Sequence, residues 1–336
     1  MTQFDQKVNQ VFPGKVVRKD LVRKVKVGAN IPVYVLEYLL GKYCATDEEM
    51  AIQAGLLIVN DIISKNVINP DEANKAKAWV KEQGEYTFID KVKVRLVASE
   101  DKYWAELINF NDNYIHIPNH FIRTYERLLE GGVWSEVNLQ YMYDEEEQRG
   151  RKSPFWISDL KPIQLASFDF EEYQSGREKF TTGEWIDFLI TSTGLEPEQF
   201  AERQKLLLLI RLIPMVETNF NLVELGPRGT GKSFVYREIS PFSILVSGGK
   251  TTVANLFYNM ASRKVGIVGL WDVVAFDEVG GMDLHEKDVV DILKDYMESG
   301  SFSRGREEIT ANASMCFLGN VNQPIDVLTK TSHLFQ

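Results

Sequence analysis

The residues at positions 226–233 have the types and the spacing of a phosphate-binding loop. They fit the pattern G-x-x-x-x-G-K-[ST] at every constrained position and follow an apolar run at 222–225. Glycines let backbone N–H groups turn toward the β-phosphate, Lys232 reaches the β- and γ-phosphates, and Ser233 offers its hydroxyl to Mg²⁺. We therefore predict that ATP and Mg²⁺ bind here. The residues predicted to hold the nucleotide are Gly226, Pro227, Arg228, Gly229, Thr230, Gly231, Lys232 and Ser233.

Two carboxylates follow a second apolar run. Residues 273–276 read Val-Val-Ala-Phe, which is typical of a buried parallel strand, and Asp277 and Glu278 come directly after it. We predict that Asp277 holds Mg²⁺ together with Ser233, and that Glu278 polarises the attacking water. The spacing from Lys232 leads us to expect this strand beside the strand that precedes the phosphate-binding loop.

A third strand is predicted at 314–318, and it is followed by Gly319 and Asn320. An asparagine at this strand end is placed to orient the water or to contact the γ-phosphate, and Asn322 is the alternative for that role. Before this strand, a helix is predicted at about 284–297 and a β-hairpin at 301–310.

A second glycine-rich stretch at 248–252 reads Gly-Gly-Lys-Thr-Thr. It is not a second phosphate-binding loop, because Ile244 stands where the motif requires glycine. We therefore predict one nucleotide site. Thr251 or Thr252 is expected to cap a helix that runs through Met260.

The N-terminal half is predicted to be helical first and rich in β-strands afterwards. Residues 46–49 have the capping-box spacing, and a second helix is predicted to begin at Asn69 and Pro70. From about residue 85, short alternating segments predict a small β-domain, for which an OB-like barrel is the suggested form. The first helix is expected to bury an apolar face that consists of Met50, Ala54, Leu57, Ile58 and Ile62.

Positive charge is concentrated near the N-terminus, although the formal net charge of the chain is −10. The overall charge argues against a protein that coats nucleic acid over its whole surface. The local run is either a contact surface for nucleic-acid phosphates or a solvated face, and the same two readings hold for residues 91, 93 and 95. The cations of the N-terminal run are Lys15, Arg18, Lys19, Arg23, Lys24 and Lys26, and those of the alternating segment are Lys91, Lys93 and Arg95.

These patterns predict an α/β protein in three parts. A helical module at 1–84, predicted to bind DNA, precedes a small β-rich domain at 85–165 and a parallel-sheet P-loop core at 180–336. No apolar run reaches membrane-spanning length and no secretory signal is visible, so we expect a cytoplasmic protein. Cys44 and Cys316 are the only cysteines, which argues against a disulfide scaffold or a cysteine metal site.

Four stretches carry a resemblance to known ATPases. They are residues 224–233, 276–279, 296–305 and 317–320, and their order resembles the AAA+ core with Asn320 at the sensor-1 position. The predicted hairpin is similar to the insert of the MCM, Lon and enhancer-activator branches. Taken together, the stretches resemble the BrxL family, the Lon-related AAA+ ATPases of BREX bacteriophage-exclusion systems.

The resemblance implies a homo-oligomeric ring, expected to be hexameric, with stacked rings as an alternative. It implies that the ring acts on DNA, expected to be duplex, in antiviral defence together with other BREX proteins. In related rings the hairpin points into the pore, so Arg304 and Arg306 are candidate DNA contacts, with solvent-facing turn arginines as the alternative.

The family pattern continues beyond Asn320 with an arginine finger, a helical lid and a Lon-type C-terminal domain, whereas this sequence ends at Gln336. We therefore expect it to be a piece of a longer protein. Because a neighbouring subunit's arginine completes an AAA+ site, we expect this piece to hydrolyse ATP poorly.

Three classes of function remain open at this point. The first is a motor that moves or remodels DNA, which the resemblance and the basic run favour. The second is the unfoldase half of a Lon-like protease, and the third is an assembly factor that ATP stabilises without catalysis. Stimulation of ATP turnover by DNA or by protein distinguishes these classes.

Overall fold

The computed structural model describes residues 2–25, 31–46, 48–129, 131–143, 153–163, 169–246, 252–260, 264–277, 287–304 and 307–320. The chain divides into two compact units, Met1–Thr181 and Thr182–Gln336, which are described one after the other. Within the described ranges, no helix is long and apolar enough to cross a lipid bilayer.

The first unit begins with helices. They are α1 (Gln3–Val11), α2 (Lys19–Val22), α3 (Val33–Tyr43), α4 (Glu49–Asn66) and α5 (Ala73–Gln83). The predicted helices α4 and α5 are confirmed, but α5 begins at Ala73, after a 3-10 turn at Pro70–Glu72 whose N-cap Asn69 makes no side-chain capping bond. The predicted capping box of α4 is wrong. Glu48 is the N-cap residue and makes no side-chain capping bond, and the hydroxyl of Thr46 instead accepts the N–H of Glu48 at 3.3 Å.

The buried face of α4 also differs from the prediction. Met50 and Leu57 are 78% and 73% exposed, and Ile58 is exposed as well. The reason is Gly55, where an added Cβ would lie 2.2 Å from the carbonyl oxygen of Tyr43. The missing side chain lets α4 approach α3 closely on the Gly55 side. The residues that α4 buries are therefore Ile52, Gly55, Leu56, Val59 and Ile63.

A closed five-stranded barrel follows the helices. Its strands are β1 (Glu85–Val97), β2 (Lys102–Leu107), β3 (Asp112–His116), β4 (Val133–Tyr141) and β5 (Phe155–Pro162), in the order β1-β2-β3-β5-β4. The long strand β1 closes the barrel because one half pairs with β4 and the other with β2, and both pairings meet at Val92. Strands β3 and β5 are parallel, and helix α6 (Asn119–Thr124) lies between β3 and β4 in the chain. This is the OB-like barrel that the alternating segments suggested.

The helices and the barrel share part of their core. Ile89 of β1 packs with the apolar side chains of α3 and α4, and Ile163, just after β5, joins the same cluster. The barrel encloses its own core around Val92 and Leu107. A last helix, α7 (Phe170–Glu178), completes the unit.

A buried carboxylate ties β1 to the turn between β2 and β3. Asp90 has no exposed surface, and its carboxylate accepts the backbone N–H groups of Lys91 (2.7 Å), Asn109 (2.9 and 3.0 Å) and Phe110 (2.9 Å). Burial raises the pKa of Asp90 to about 6, and the three N–H donors oppose that effect.

This carboxylate should make the barrel less stable as the pH rises. Its folded pKa is above the value of about 4 expected in the unfolded chain, so the folded state binds the proton more tightly. The stabilisation is complete below pH 4 and is lost between pH 4 and 6, by about 3 kcal/mol at most. Hydrogen exchange of the β1 and β4 amides measures it. Asp90→Asn should remove this component of the pH dependence, whereas the control Asp71→Asn, at an exposed position, should not. If the free energy of unfolding changed equally with pH in the unmodified protein and in both variants, the assignment would be contradicted.

The second unit is built on a parallel sheet. Two helices, α8 (Thr182–Ser192) and α9 (Glu202–Ile210), precede it. The strands are β6 (Leu222–Gly226), β7 (Ser243–Val246), β10 (Val273–Phe276) and β13 (Ser314–Asn320), in the order β6-β13-β10-β7. Helix α10 (Lys232–Glu238) connects β6 to β7.

The neighbour predicted for the acidic strand is wrong. β10 pairs with β13 and β7, and β13 lies between β10 and β6. The strand is buried on both faces, which explains its continuous apolar run: Val273 and Ala275 pack in one cluster with α10, and Val274 and Phe276 pack in the other.

The remaining elements lie around this sheet. They are α11 (Val253–Leu256), β8 (Tyr258–Asn259), β9 (Lys264–Val265), α12 (Lys287–Ser299), β11 (Ser301–Arg304) and β12 (Glu307–Thr310). Thr252 caps α11 as predicted, by accepting the N–H of Asn255, but the helix ends at Leu256 because β8 then pairs with β9. The predicted hairpin is confirmed in the antiparallel pairing of β11 with β12 directly before β13.

Candidate nucleotide-binding site

The predicted phosphate-binding loop connects the end of β6 to the start of α10. Gly229 and Gly231 have φ angles of 78° and 76°, in the left-handed region that favours glycine. An added Cβ at Gly226 or Gly229 would meet no atom within 4 Å, so open space borders the loop there. Gly229 and Gly231 therefore give the loop the left-handed backbone that a tight turn needs.

Lys232 folds back over this loop. Its ammonium group donates to the carbonyl oxygens of Gly226 (3.2 Å) and Pro227 (2.6 Å) and to the hydroxyl of Thr230 (3.3 Å). The residue is only 5% exposed, and burial lowers the pKa of Lys232. The carboxylates of Glu224 and Asp277 raise that pKa, whereas Arg211 lowers it further. The lysine thus lies where it can exchange carbonyl partners for phosphate oxygens.

The strand ends bring the other candidates toward the loop. Asn320 is the register partner of Gly226 in the β13–β6 pair, and Phe276 is the partner of Phe317 in the β10–β13 pair. Asp277 follows β10 directly, and its N–H donates to the carbonyl of Val246 at 2.9 Å. Because the strands are parallel, these residues lie at one carboxyl edge of the sheet, the edge at which ligands bind in such folds.

A hydroxyl and a carboxylate are available for a magnesium ion. Ser233 lies half-buried in the first turn of α10, and Asp277 lies close enough to Lys232 to influence its pKa. Oxygen ligands of this kind, completed by water and phosphate oxygens, are what Mg²⁺ prefers. The residues present therefore fit the ion.

The structure does not describe the side chains of several predicted site residues. Glu278, Asn322, Arg306 and Lys26 lie outside the described residues, as does most of the second glycine-rich stretch. Arg304 and Asn320 are placed by their backbone alone. Their predicted roles stay predictions.

Two charged residues beside the loop were missed in the sequence. Arg211 follows α9 and is 7% exposed, and its guanidinium binds both carboxylate oxygens of Glu224, at 2.9 and 2.5 Å. The same guanidinium donates to the carbonyl oxygen of Thr230 at 3.0 Å. The available signal was a single arginine inside the apolar stretch 206–213 and a single acid inside the apolar run of β6.

The N-terminal cations are partly neutralised within their own unit. Lys15 pairs with Glu172, Arg18 with Asp20 at 2.7 Å, and Lys19 with Glu37. Arg23 and Lys24 are exposed, and no ion pair joins them to another described residue.

The second set of cations lies along β1. Lys93 is exposed, and burial together with the charge of Lys93 lowers the pKa of Lys91 to about 8. The guanidinium of Arg95 lies 4.6 Å from the ring centroid of Tyr114 and donates to the carbonyl of Asn113 at 3.2 Å. Arg95 thus has aromatic and backbone partners within the barrel.

Comparison with known proteins places the chain in a family. Residues 155–336 match the family described as "Lon-like protease BrxL-like, ATPase domain", and residues 10–141 match "BREX system Lon protease-like protein BrxL N-terminal". A protein named Lon-like protease BrxL from Bacillus cereus (strain H3081.97) is 56% identical over 335 residues, which cover 100% of this chain and 49% of the relative. Its namesake from Escherichia coli O9:H4 (strain HS) is 52% identical over 331 residues, with 98% and 47% covered.

Two solved structures of NtrX from Brucella abortus align with part of the chain. The complex with ADP is 17% identical, has a TM-score of 0.29 and covers 49% of this chain and 39% of NtrX. The complex with ATP is 15% identical, has a TM-score of 0.30 and covers 64% and 44%. The chain spans about half the length of the curated relatives above. From the two matching regions and the two close relatives, the chain belongs to the BrxL family of Lon-like proteins and includes the family's ATPase domain.

Proposed function

We propose that this chain is part of an ATP-hydrolysing, Mg²⁺-dependent AAA+ motor that acts on DNA in bacteriophage exclusion. The observation that carries the nucleotide part is the position of Lys232, whose ammonium lies on the carbonyls of the loop and within the influence of Asp277. A buried cation, two left-handed glycines and a carboxylate at one sheet edge form a site suited to a phosphate chain.

Each predicted site residue has a separate task in the proposal. Lys232 exchanges the carbonyls of Gly226 and Pro227 for the oxygens of the β- and γ-phosphates, and Ser233 and Asp277 would hold Mg²⁺. Mg²⁺, when bound, would screen the charge of the phosphate oxygens. Glu278 accepts a proton from the attacking water, and Asn320 orients that water.

The DNA part of the proposal rests on a separate set of observations. Five-stranded barrels of this topology often bind oligonucleotides, and Arg23 and Lys24 offer exposed positive charge in the same unit. The description of the N-terminal match names a BREX system. A homo-oligomeric ring, expected to be hexameric and to act in the cytoplasm with other BREX proteins, would bring the β11–β12 hairpins around the DNA.

A second candidate function is suggested by the names of the relatives. Both are called Lon-like proteases, so an ATP-dependent unfoldase that feeds a proteolytic domain is the competing proposal. In that case the threaded polymer is a polypeptide rather than DNA.

The rate of ATP turnover distinguishes the two proposals. We expect duplex DNA to raise the steady-state rate of the assembled protein severalfold, and an unfolded polypeptide such as reduced, alkylated lactalbumin to leave it unchanged. Lys232→Ala is the control, because it should remove turnover with and without DNA. Stimulation by the polypeptide alone would replace the DNA motor with the unfoldase.

A further inference from the structure

A buried arginine links the strand before the phosphate-binding loop to the loop itself. Arg211 has three donor positions in use: Nε and Nη2 donate to the two carboxylate oxygens of Glu224, and Nη1 donates to the carbonyl oxygen of Thr230. The bidentate pair fixes the plane of the guanidinium relative to β6. The third bond then fixes one carbonyl of the loop relative to that plane.

The position of this carbonyl decides the direction of a neighbouring N–H group. Thr230 lies between Gly229 and Gly231, which both have left-handed backbone. Because glycine has no Cβ, the chain can rotate more freely at these two residues than at others. The peptide between Thr230 and Gly231 is planar and trans, so its C=O and N–H point in opposite directions. When Arg211 holds the carbonyl on one side, the N–H of Gly231 is directed to the other side.

The Arg211–Glu224 pair also lies close enough to Lys232 to influence its charge. Arg211 and Glu224 both influence Lys232 electrostatically, in opposite directions. Arg211 is almost completely buried, so removal of Glu224 would leave a charge without its partner in a desolvated site.

We propose that Arg211, anchored by Glu224, is a positioning residue that holds the turn at Thr230 in the conformation that binds the phosphate chain. The inference rests on the proposed nucleotide binding and adds a determinant of phosphate recognition outside the motif. Arg211 does not touch the ligand in this proposal. Its effect depends on the number of phosphates, because the turn it holds faces the β-phosphate.

The test measures the affinity of each protein for ADP and for AMP, by competition with a fluorescent ADP analogue that carries a methylanthraniloyl group. Arg211→Gln removes the charge, Arg211→Lys keeps the charge without the planar fork, and Glu224→Gln removes the anchor. Arg203→Gln is the matched control, because Arg203 is exposed near the start of α9, the helix that Arg211 follows.

We expect Arg211→Gln to lose at least tenfold in ADP affinity and to reduce the preference for ADP over AMP at least fivefold. Arg211→Lys and Glu224→Gln should show smaller losses of the same kind, and Arg203→Gln should match the unmodified protein. A purely structural role would lower the binding of both nucleotides equally, and this outcome overturns the proposal. An unchanged preference in folded Arg211→Lys and Glu224→Gln overturns it too, even if Arg211→Gln does not fold. If the unmodified protein bound neither ADP nor ATP, the proposed function itself would fail.

Discussion

Replacement of Lys232 by alanine is expected to weaken ATP binding roughly 10- to 100-fold. The substitution removes the ammonium group that lies on the carbonyls of Gly226 and Pro227 and that is placed to bind the β- and γ-phosphates. A hydrogen bond to a charged group contributes about 1.5–3 kcal/mol, and every 1.4 kcal/mol is about a tenfold change in affinity. Isothermal titration of the purified protein with ATP and Mg²⁺ measures the loss.

Two lysines serve as controls for this experiment. Lys250 belongs to the second glycine-rich stretch, and Lys294 is exposed on α12. Because we assign one nucleotide site, Lys250→Ala and Lys294→Ala should bind ATP as the unmodified protein does. If Lys250→Ala lost ATP binding while Lys232→Ala kept it, the nucleotide would bind at the second glycine-rich stretch and our assignment would be wrong.

Replacement of Glu278 by glutamine is expected to stop turnover without loss of binding. A general base contributes typically about 10²- to 10⁴-fold to a rate, and glutamine keeps the size of the side chain but cannot accept the proton. ATP affinity should stay within about a factor of two, since Lys232, Ser233 and the loop backbone supply the phosphate contacts. Turnover at saturating ATP and duplex DNA, together with titration of ATP, gives both quantities.

The comparison of Lys232→Ala with Glu278→Gln tests the division of roles. The first variant should fail in binding, and the second should fail in chemistry alone. Equal loss of ATP affinity in both would mean that Glu278 supports the fold of the site rather than the reaction.

The strands of the nucleotide site could be predicted because their physical signals are local. A glycine-rich turn needs left-handed backbone, and the structure has it at Gly229 and Gly231. A strand buried on both faces needs a continuous apolar run, and residues Val273–Phe276 supply one. The order of the strands in the sheet, in contrast, could not be predicted from local sequence signals. β13 comes last among the sheet strands in the chain yet lies between β6 and β10, and spacing from Lys232 does not encode that insertion.

The buried face of α4 was predicted wrongly for a similar reason. The helix carries two apolar stripes at helical spacing, and the pattern of hydrophobic residues does not rank them. The close approach at Gly55 to the backbone of Tyr43 selects the face that contains Ile52 and Leu56. This leaves Met50 and Leu57 exposed.

The link between Arg211 and the loop is also a product of tertiary structure. Arg211 and Glu224 lie on either side of a turn, and their charges look like isolated polar positions in apolar segments. They pair only when the end of α9 is brought beside β6. The OB-like barrel, in contrast, follows from the alternating segments, because apolar residues at alternate positions, such as Val92, Val94 and Leu107, are buried in its core.

The most direct test of a DNA motor is the affinity for duplex DNA across salt concentrations, with and without ATP. Glu278→Gln is the protein to use, because it should hold ATP without hydrolysing it. A double variant, Arg23→Glu with Lys24→Glu, reverses two exposed positive charges in the N-terminal run. Each phosphate contact contributes roughly 0.9 to the slope of log K against log salt concentration.

We predict that ATP tightens DNA binding, that affinity falls steeply as salt rises, and that the double variant lowers the slope by about 2. Lys232→Ala should remove the effect of ATP and leave the salt dependence of the ATP-free protein. Absence of DNA binding at low salt, both with and without ATP, would contradict the central claim that this ATPase acts on DNA.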